Sequence, residues 1–263
     1  MTQTPEEIAL ERIHQAAESG AESLDLFDLG LTTLPAEIGR LQAPTSLDLA
    51  GNQLESLPPE IGQLQVLTSL DLAFNELISI PPEFGQLQAL TWLDLAFNQL
   101  TSLPSEFGDL RVLNWLDISY NQLIGLPPEI VQLQTLNELG LRRNHLTSFP
   151  TEILQLRALA SLDLFDNELT NLPSEIFKLQ SLTSLLLSSN QLISLPLEIA
   201  KLHSLEKIAL RGNPLEIAIP AKWLEKNRKH TGKVVNMHKT SSPTINNSMR
   251  KADARWARRA SWQ

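Results

Sequence analysis

Residues 67–89 read LTSLDLAFNELISIPPEFGQLQA and residues 90–112 read LTWLDLAFNQLTSLPSEFGDLRV, so the second stretch repeats the first in register. Working outward from this pair, Asn52, Asn75, Asn98, Asn121, Asn144, Asn167, Asn190 and Asn213 recur every 23 residues with no insertion or deletion between them. Around each asparagine the chain follows LxxLxLxxNxLxxLPxE[IF]xxLxx. A fixed period of this length means that each unit buries its apolar face only against its neighbours, so the chain is one elongated array with a continuous core. Length therefore does not count domains here.

Within a unit the LxLxx segment alternates, which predicts a short strand stacked on its neighbours in a parallel sheet about 4.8 Å apart. Nine such strands span on the order of 40 Å. Pro35, Pro58, Pro81, Pro104, Pro127, Pro150, Pro173 and Pro196 stand where the chain turns into a short helical segment on the opposite side. The glutamate two residues later falls in that segment's first turn, where a helix dipole favours an anion. Each asparagine ends a strand, where backbone groups cannot pair within the sheet. An amide offers them both a donor and an acceptor, so the asparagines are assigned to the fold as a structural ladder.

The ends differ from the middle. Thr4-Pro5 followed by Glu7 is a capping-box start, and residues 1–20 are expected to form an N-terminal capping helix. Residues 21–219 carry nine repeats, the first with Leu29 in the asparagine slot. Residues 220–230 are expected to close the other end through Trp223 and Leu224. Residues 231–263 have little apolar periodicity and are expected to be a disordered basic tail.

Repeats of the form LTSLPPEIGQLQ joined by LDLxxNQL resemble leucine-rich repeats, and within them the intracellular Ras-group class of Ras-binding scaffolds and Roc-COR proteins. The resemblance covers residues 21–219. It implies an α/β fold: a right-handed leucine-rich repeat solenoid, a curved horseshoe with a concave parallel β-sheet and short convex helical segments. It also implies a protein partner, with a small GTPase as one class, because the class shares a recognition mode while partners differ. The GTPase module itself is absent from this sequence: Gly232 and Lys233 lack the upstream glycine and the following Ser or Thr of a phosphate-binding loop.

No sequence motif supports catalysis. There is no cysteine, no GxSxG and no HExxH, and His14, His145, His203, His230 and His238 lack metal-ligand spacing. No catalytic residue, metal, cofactor or small-molecule substrate is expected. The lack of cysteine and of any long apolar run points to a reducing, cytoplasmic setting. Residues 1–219 hold 10 Lys and Arg against 28 Asp and Glu, while residues 220–263 hold 11 against 2. The chain is thus an acidic body with a basic tail.

Positions between the strand leucines point out of the concave face, and read across repeats they form columns. Most columns are serine, alanine or aspartate. Trp92 and Trp115 interrupt one, Phe74, Phe97 and Tyr120 another, with Arg142, Arg143 and Phe165 adjoining. Exposed aromatics and arginine make a binding hot spot, and Asp94 and Asp117 beside them are expected to steer a basic partner. Gly140 breaks the aspartate column and is expected to leave a notch. The reading is a non-catalytic scaffold for protein–protein interaction, consistent with signal transduction. The alternative is a targeting protein whose tail, rich in arginine around Trp256 and Trp262, binds an acidic partner, nucleic acid or a membrane surface.

Overall fold

The computed structural model describes residues 3–216. The expected C-terminal cap at 220–230 and the tail at 231–263 lie outside the described residues. Among the described residues nine three-residue strands form one open parallel sheet in sequential order, a curved solenoid. They are β1 (Ser23–Asp25), β2 (Ser46–Asp48), β3 (Ser69–Asp71), β4 (Trp92–Asp94), β5 (Trp115–Asp117), β6 (Glu138–Gly140), β7 (Ser161–Asp163), β8 (Ser184–Leu186) and β9 (Lys207–Ala209). Every residue pairs with its equivalent 23 positions on, as in Trp92 with Trp115 and Asp94 with Asp117.

Each of the strands β1 to β8 is followed by a turn and then a five-residue 3-10 segment on the convex side, such as Pro82–Gln86 and Ser105–Asp109. Between sheet and convex segments runs an unbroken core of leucines, with Phe84 and Phe107 stacked in its convex layer. Helix α1 (Pro5–Ser19) covers the first repeat with Ala9, Ile13 and Ala16. Its capping box is formed in both directions between Thr4 and Glu7, and Gly20 ends it in the left-handed conformation.

The asparagine amides stitch adjacent turns. Asn98 accepts the Leu77 N–H at 3.0 Å and donates to the carbonyls of Leu72 and Leu95, each at 3.0 Å. The same three bonds recur at Asn52, Asn75, Asn121, Asn144, Asn167, Asn190 and Asn213. In the first repeat Leu29 sits in the asparagine slot and donates its own N–H to Asn52.

Candidate functional site

The residue before each asparagine determines what the concave rim presents. Asp28, Gly51, Phe74, Phe97, Tyr120, Arg143, Asp166, Ser189 and Gly212 all have positive φ, between 51° and 76°. A left-handed turn at this slot reverses the chain after the strand, and a non-glycine residue there costs about 1–2 kcal/mol. The sequence signal was glycine at two of the nine equivalent positions, Gly51 and Gly212, which the column reading did not use. Because the backbone is identical in every repeat, the side chains leave it in parallel, one strand spacing apart.

Aromatic residues turn that geometry into two ladders of stacked rings. Phe74 and Phe97 stack at 4.3 Å between centroids, and Phe97 and Tyr120 at 3.9 Å. Trp92 and Trp115 stack at 4.7 Å with planes 7° apart. The two indoles, Phe97 and Tyr120 are partly exposed, whereas Phe74 is 8% exposed and packs on Ala50 and Ala73. Phe74 is thus the inner anchor of its ladder and offers little surface of its own. The C-terminal end is closed by cations: the Arg142 guanidinium lies 4.2 Å from the Phe165 ring and 5.7 Å from Tyr120, and that of Arg143 lies 5.1 Å from Tyr120. Arg143 also pairs with Asp166 at 2.7 Å, while the Nε of Arg142 is enclosed with no hydrogen-bond partner among the described residues.

The aspartates require a correction. Asp94 and Asp117 are 6% and 5% exposed, and each accepts the backbone N–H two residues on, from Ala96 and Ser119 at 2.9 Å. Asp25, Asp48, Asp71 and Asp163 make the same bond. The column is a set of turn-holding groups, a short side-chain-to-backbone bond that aspartate makes readily. The half-exposed Asp71 still presents a charged rim, but the central Asp94 and Asp117 do not.

The expected notch at Gly140 is also filled. A Cβ there would lie 2.4 Å from Asp117 Oδ1 and 3.1 Å from Ser119 Oγ, because the Asp117 carboxyl leans over the glycine. Glycine is needed so that this carboxyl can lie down. Burial raises the pKa of Asp117, partly offset by the Ser119 hydrogen bonds and the nearby Arg142 charge. Burial likewise pushes Asp163 up to about 6, against the Phe165 N–H and Arg142, with the Asp117 charge adding to the rise. Gly140, Asp117, Asp163 and Arg142 form one charge cluster under the edge of the aromatic ladder.

Among the described residues no group of three or more His, Cys, Asp or Glu is placed to hold a metal ion. None of the described helices is long and apolar enough to cross a membrane.

Leucine rich repeat models match residues 45–100, 65–123, 111–169 and 157–215. Among solved structures, the leucine-rich repeat protein LIC12759 of Leptospira interrogans is 40% identical over 81% of this chain and 54% of its own, with a TM-score of 0.74. An internalin, inlF, of Listeria monocytogenes superposes with a TM-score of 0.70 at 21% identity, over 83% of this chain and 61% of that one, and so supports the fold alone. A TDR receptor gives a TM-score of 0.58 at 27% identity, over 76% and 41%. The chain spans about half the length of these structures. Among curated proteins none matches it. Asparagine ladder, sequential parallel sheet and matching repeat models agree, and the chain belongs to the leucine-rich repeat family.

Proposed function

We propose that this protein is a non-catalytic scaffold whose concave face, from repeat three to repeat seven, binds a partner protein. The carrying observation is local. Repeats with serine, glycine or aspartate in the ladder slots adopt the same backbone and register as repeats with Trp92, Trp115, Phe97 or Tyr120 there. The fold does not need the rings, so their clustering on neighbouring strands is explained by what they contact. Large flat side chains beside arginine are the anchors that dominate interface energies. The paired arginines hold the ladder rigid, which lowers the entropy lost on binding.

The resemblance to the Ras-group class adds the finer part of the proposal: a cytoplasmic protein of signal transduction, with a small GTPase among its candidate partners. In this reading Trp92 and Trp115 form one anchor, Phe97, Tyr120, Arg142, Arg143 and Phe165 the other, and Phe74 supports the second from below. Asp94 and Asp117 set the turn geometry beneath them.

The test is capture of a partner by the immobilised full chain, followed by its titration against wild type and Trp92→Ala/Trp115→Ala. Hot-spot truncations cost about 2 kcal/mol or more each, so affinity is expected to fall by at least thirtyfold while the melting temperature drops by only a few degrees. Unchanged affinity with a large loss of stability would show that the indoles serve only each other.

A further inference from the structure

Stacking decides which part of each ring a partner meets. Phe97 has one face on Phe74 and the other on Tyr120, and Trp92 and Trp115 cover one face of each other. Tyr120 and Phe165 each give a face to guanidinium groups of the chain itself, those of Arg142 and Arg143. An aromatic face is negative and attracts cations, whereas its edge is positive and attracts electron-rich groups. The cation-seeking faces in the middle of the concave side are thus largely taken within the chain, and the edges that remain favour negative charge.

The cations are placed to match. Among the described residues, the strand and turn positions of the concave face carry Lys or Arg only from β6 onward, at Arg142, Arg143, Lys207 and Arg211. Arg143 is paired with Asp166 at 2.7 Å. Arg142 forms no ion pair with a described carboxylate. Two acids lie within its electrostatic reach, Asp117 and Asp163, and both are buried with Oδ1 on a backbone N–H, that of Ser119 and that of Phe165. The half-buried Arg142 is held at both ends: its main-chain N–H donates to Ser119 Oγ at 3.1 Å, and its guanidinium lies 4.2 Å from the Phe165 ring. Its Nε is enclosed with no hydrogen-bond partner among the described residues, so an incoming anion can reach this charge only through the fork of the two terminal nitrogens.

We infer that the fork of Arg142, framed by Tyr120 and Phe165, is a subsite for a carboxylate of the partner, an aspartate or glutamate side chain that enters the concave face. This rests on the concave-face reading and names the chemistry of the partner at that place. A carboxylate matches the planar fork with two parallel hydrogen bonds, which an ammonium in the same position does not offer. The cation is immobilised in advance, so little side-chain entropy is lost when the pair forms. Asp163 tempers the site. Its charge is felt by Arg142, and removing it leaves more of the arginine's field for the partner.

The full chain, labelled with ¹⁵N, is titrated with acetyl-Gly-Glu-Gly-amide and with its glutamine counterpart. The reporter is the Arg142 Nε–H resonance, which enclosure protects from exchange and which is assigned by its loss in Arg142→Lys. The glutamate peptide is expected to move it saturably and the glutamine peptide to leave it still. In the variants the Phe165 backbone N–H, beside the guanidinium, reports instead. Arg142→Lys is expected to weaken binding by about fivefold or more, since it keeps the charge and loses the fork, and Arg142→Gln to abolish the titration. Asp163→Asn is expected to tighten binding by about twofold or more at pH 7. An unmoved Nε–H, equal affinity for the two peptides, or an Arg142→Gln chain that titrates like wild type overturns the inference. If the captured partner is lost on Trp92→Ala/Trp115→Ala while the glutamate peptide leaves the resonance still, the carboxylate subsite falls and the concave-face reading stands. If the peptide titrates as expected but the partner ignores the double variant, the subsite stands and that reading falls.

Discussion

The convex segments of the first four repeats and those of the next four share a backbone plan but differ at one position. Gly39, Gly62, Gly85 and Gly108 occupy the fourth place of their 3-10 segments, and Val131, Leu154, Phe177 and Ala200 the same place further on. A Cβ on Gly62 or Gly85 would lie 2.4 Å from the carbonyl oxygen of Glu83 or Glu106 in the next repeat, and on Gly108 2.5 Å from that of Glu129. Without side chains these segments pack closely. Where Val131 and the buried Leu154 stand, the segments pack less closely. The Phe177 ring escapes the seam, with the Lys201 ammonium 5.0 Å above it, and close packing returns. On the concave side the strand register never changes, so the two seams differ on the outer side alone. One side chain per repeat changes the convex packing while the concave register stays the same.

The comparison can be broken most severely by filling the close seam. Gly85→Val forces a β-branched group against the Glu106 carbonyl and is expected to cost roughly 3 kcal/mol, since overpacking a fitted contact carries penalties of this size. The reverse change, Val131→Gly, should cost about 1 kcal/mol, the backbone entropy of glycine. Equal losses in chemical denaturation would show that the two seams do not differ.

The next largest effect lies on the strand of repeat seven, where Asp163 is buried. Its pKa is raised in the folded state, so its contribution is fully present below the ordinary aspartate value of 3.8 and is lost as pH rises through about 6. With about 1.4 kcal/mol per unit, Asp163→Asn is expected to be more stable than wild type by about 2–3 kcal/mol at pH 7 and equal to it near pH 4. The amide keeps the acceptor for the Phe165 N–H. A constant difference at both pH values would refute the burial argument. The asparagine ladder, by contrast, should be blind to the seam. Asn121→Ala and Asn167→Ala leave the same buried groups unpaired and should each cost about 2 kcal/mol. Thermal melts that separate them widely would mean that the convex packing strains the ladder. Smallest of all, Ser189→Gly relieves a left-handed serine at the price of unfolded-state entropy, for an expected net gain of ~0.5 kcal/mol.

The repeat period, the strand register and the asparagine role were legible because each is enforced identically in every copy. Legibility failed where a position varies between copies or where two roles share a residue type. The glycine seam was visible as GxL after [IF] in four repeats, yet a consensus that allowed any residue there averaged it away. The aspartates looked like a charged surface because alternation places them on the concave side. Their bonds to the N–H two residues on depend on side-chain rotation, which periodicity does not carry. Gly140 read as a gap for the same reason: what fills it is the carboxyl of Asp117, 23 residues earlier.

The tryptophan pair has an optical consequence. Two indoles held face to face at 4.7 Å and 7° are close enough to couple electronically, and any circular dichroism couplet from them is expected to depend steeply on their spacing and on the twist between their transition dipoles. The molecule therefore carries its own ruler at the middle of the concave face. A change of curvature at β4 and β5, whether from a seam substitution on the far side or from a partner pressed into the horseshoe, registers as a change in that couplet without any added label.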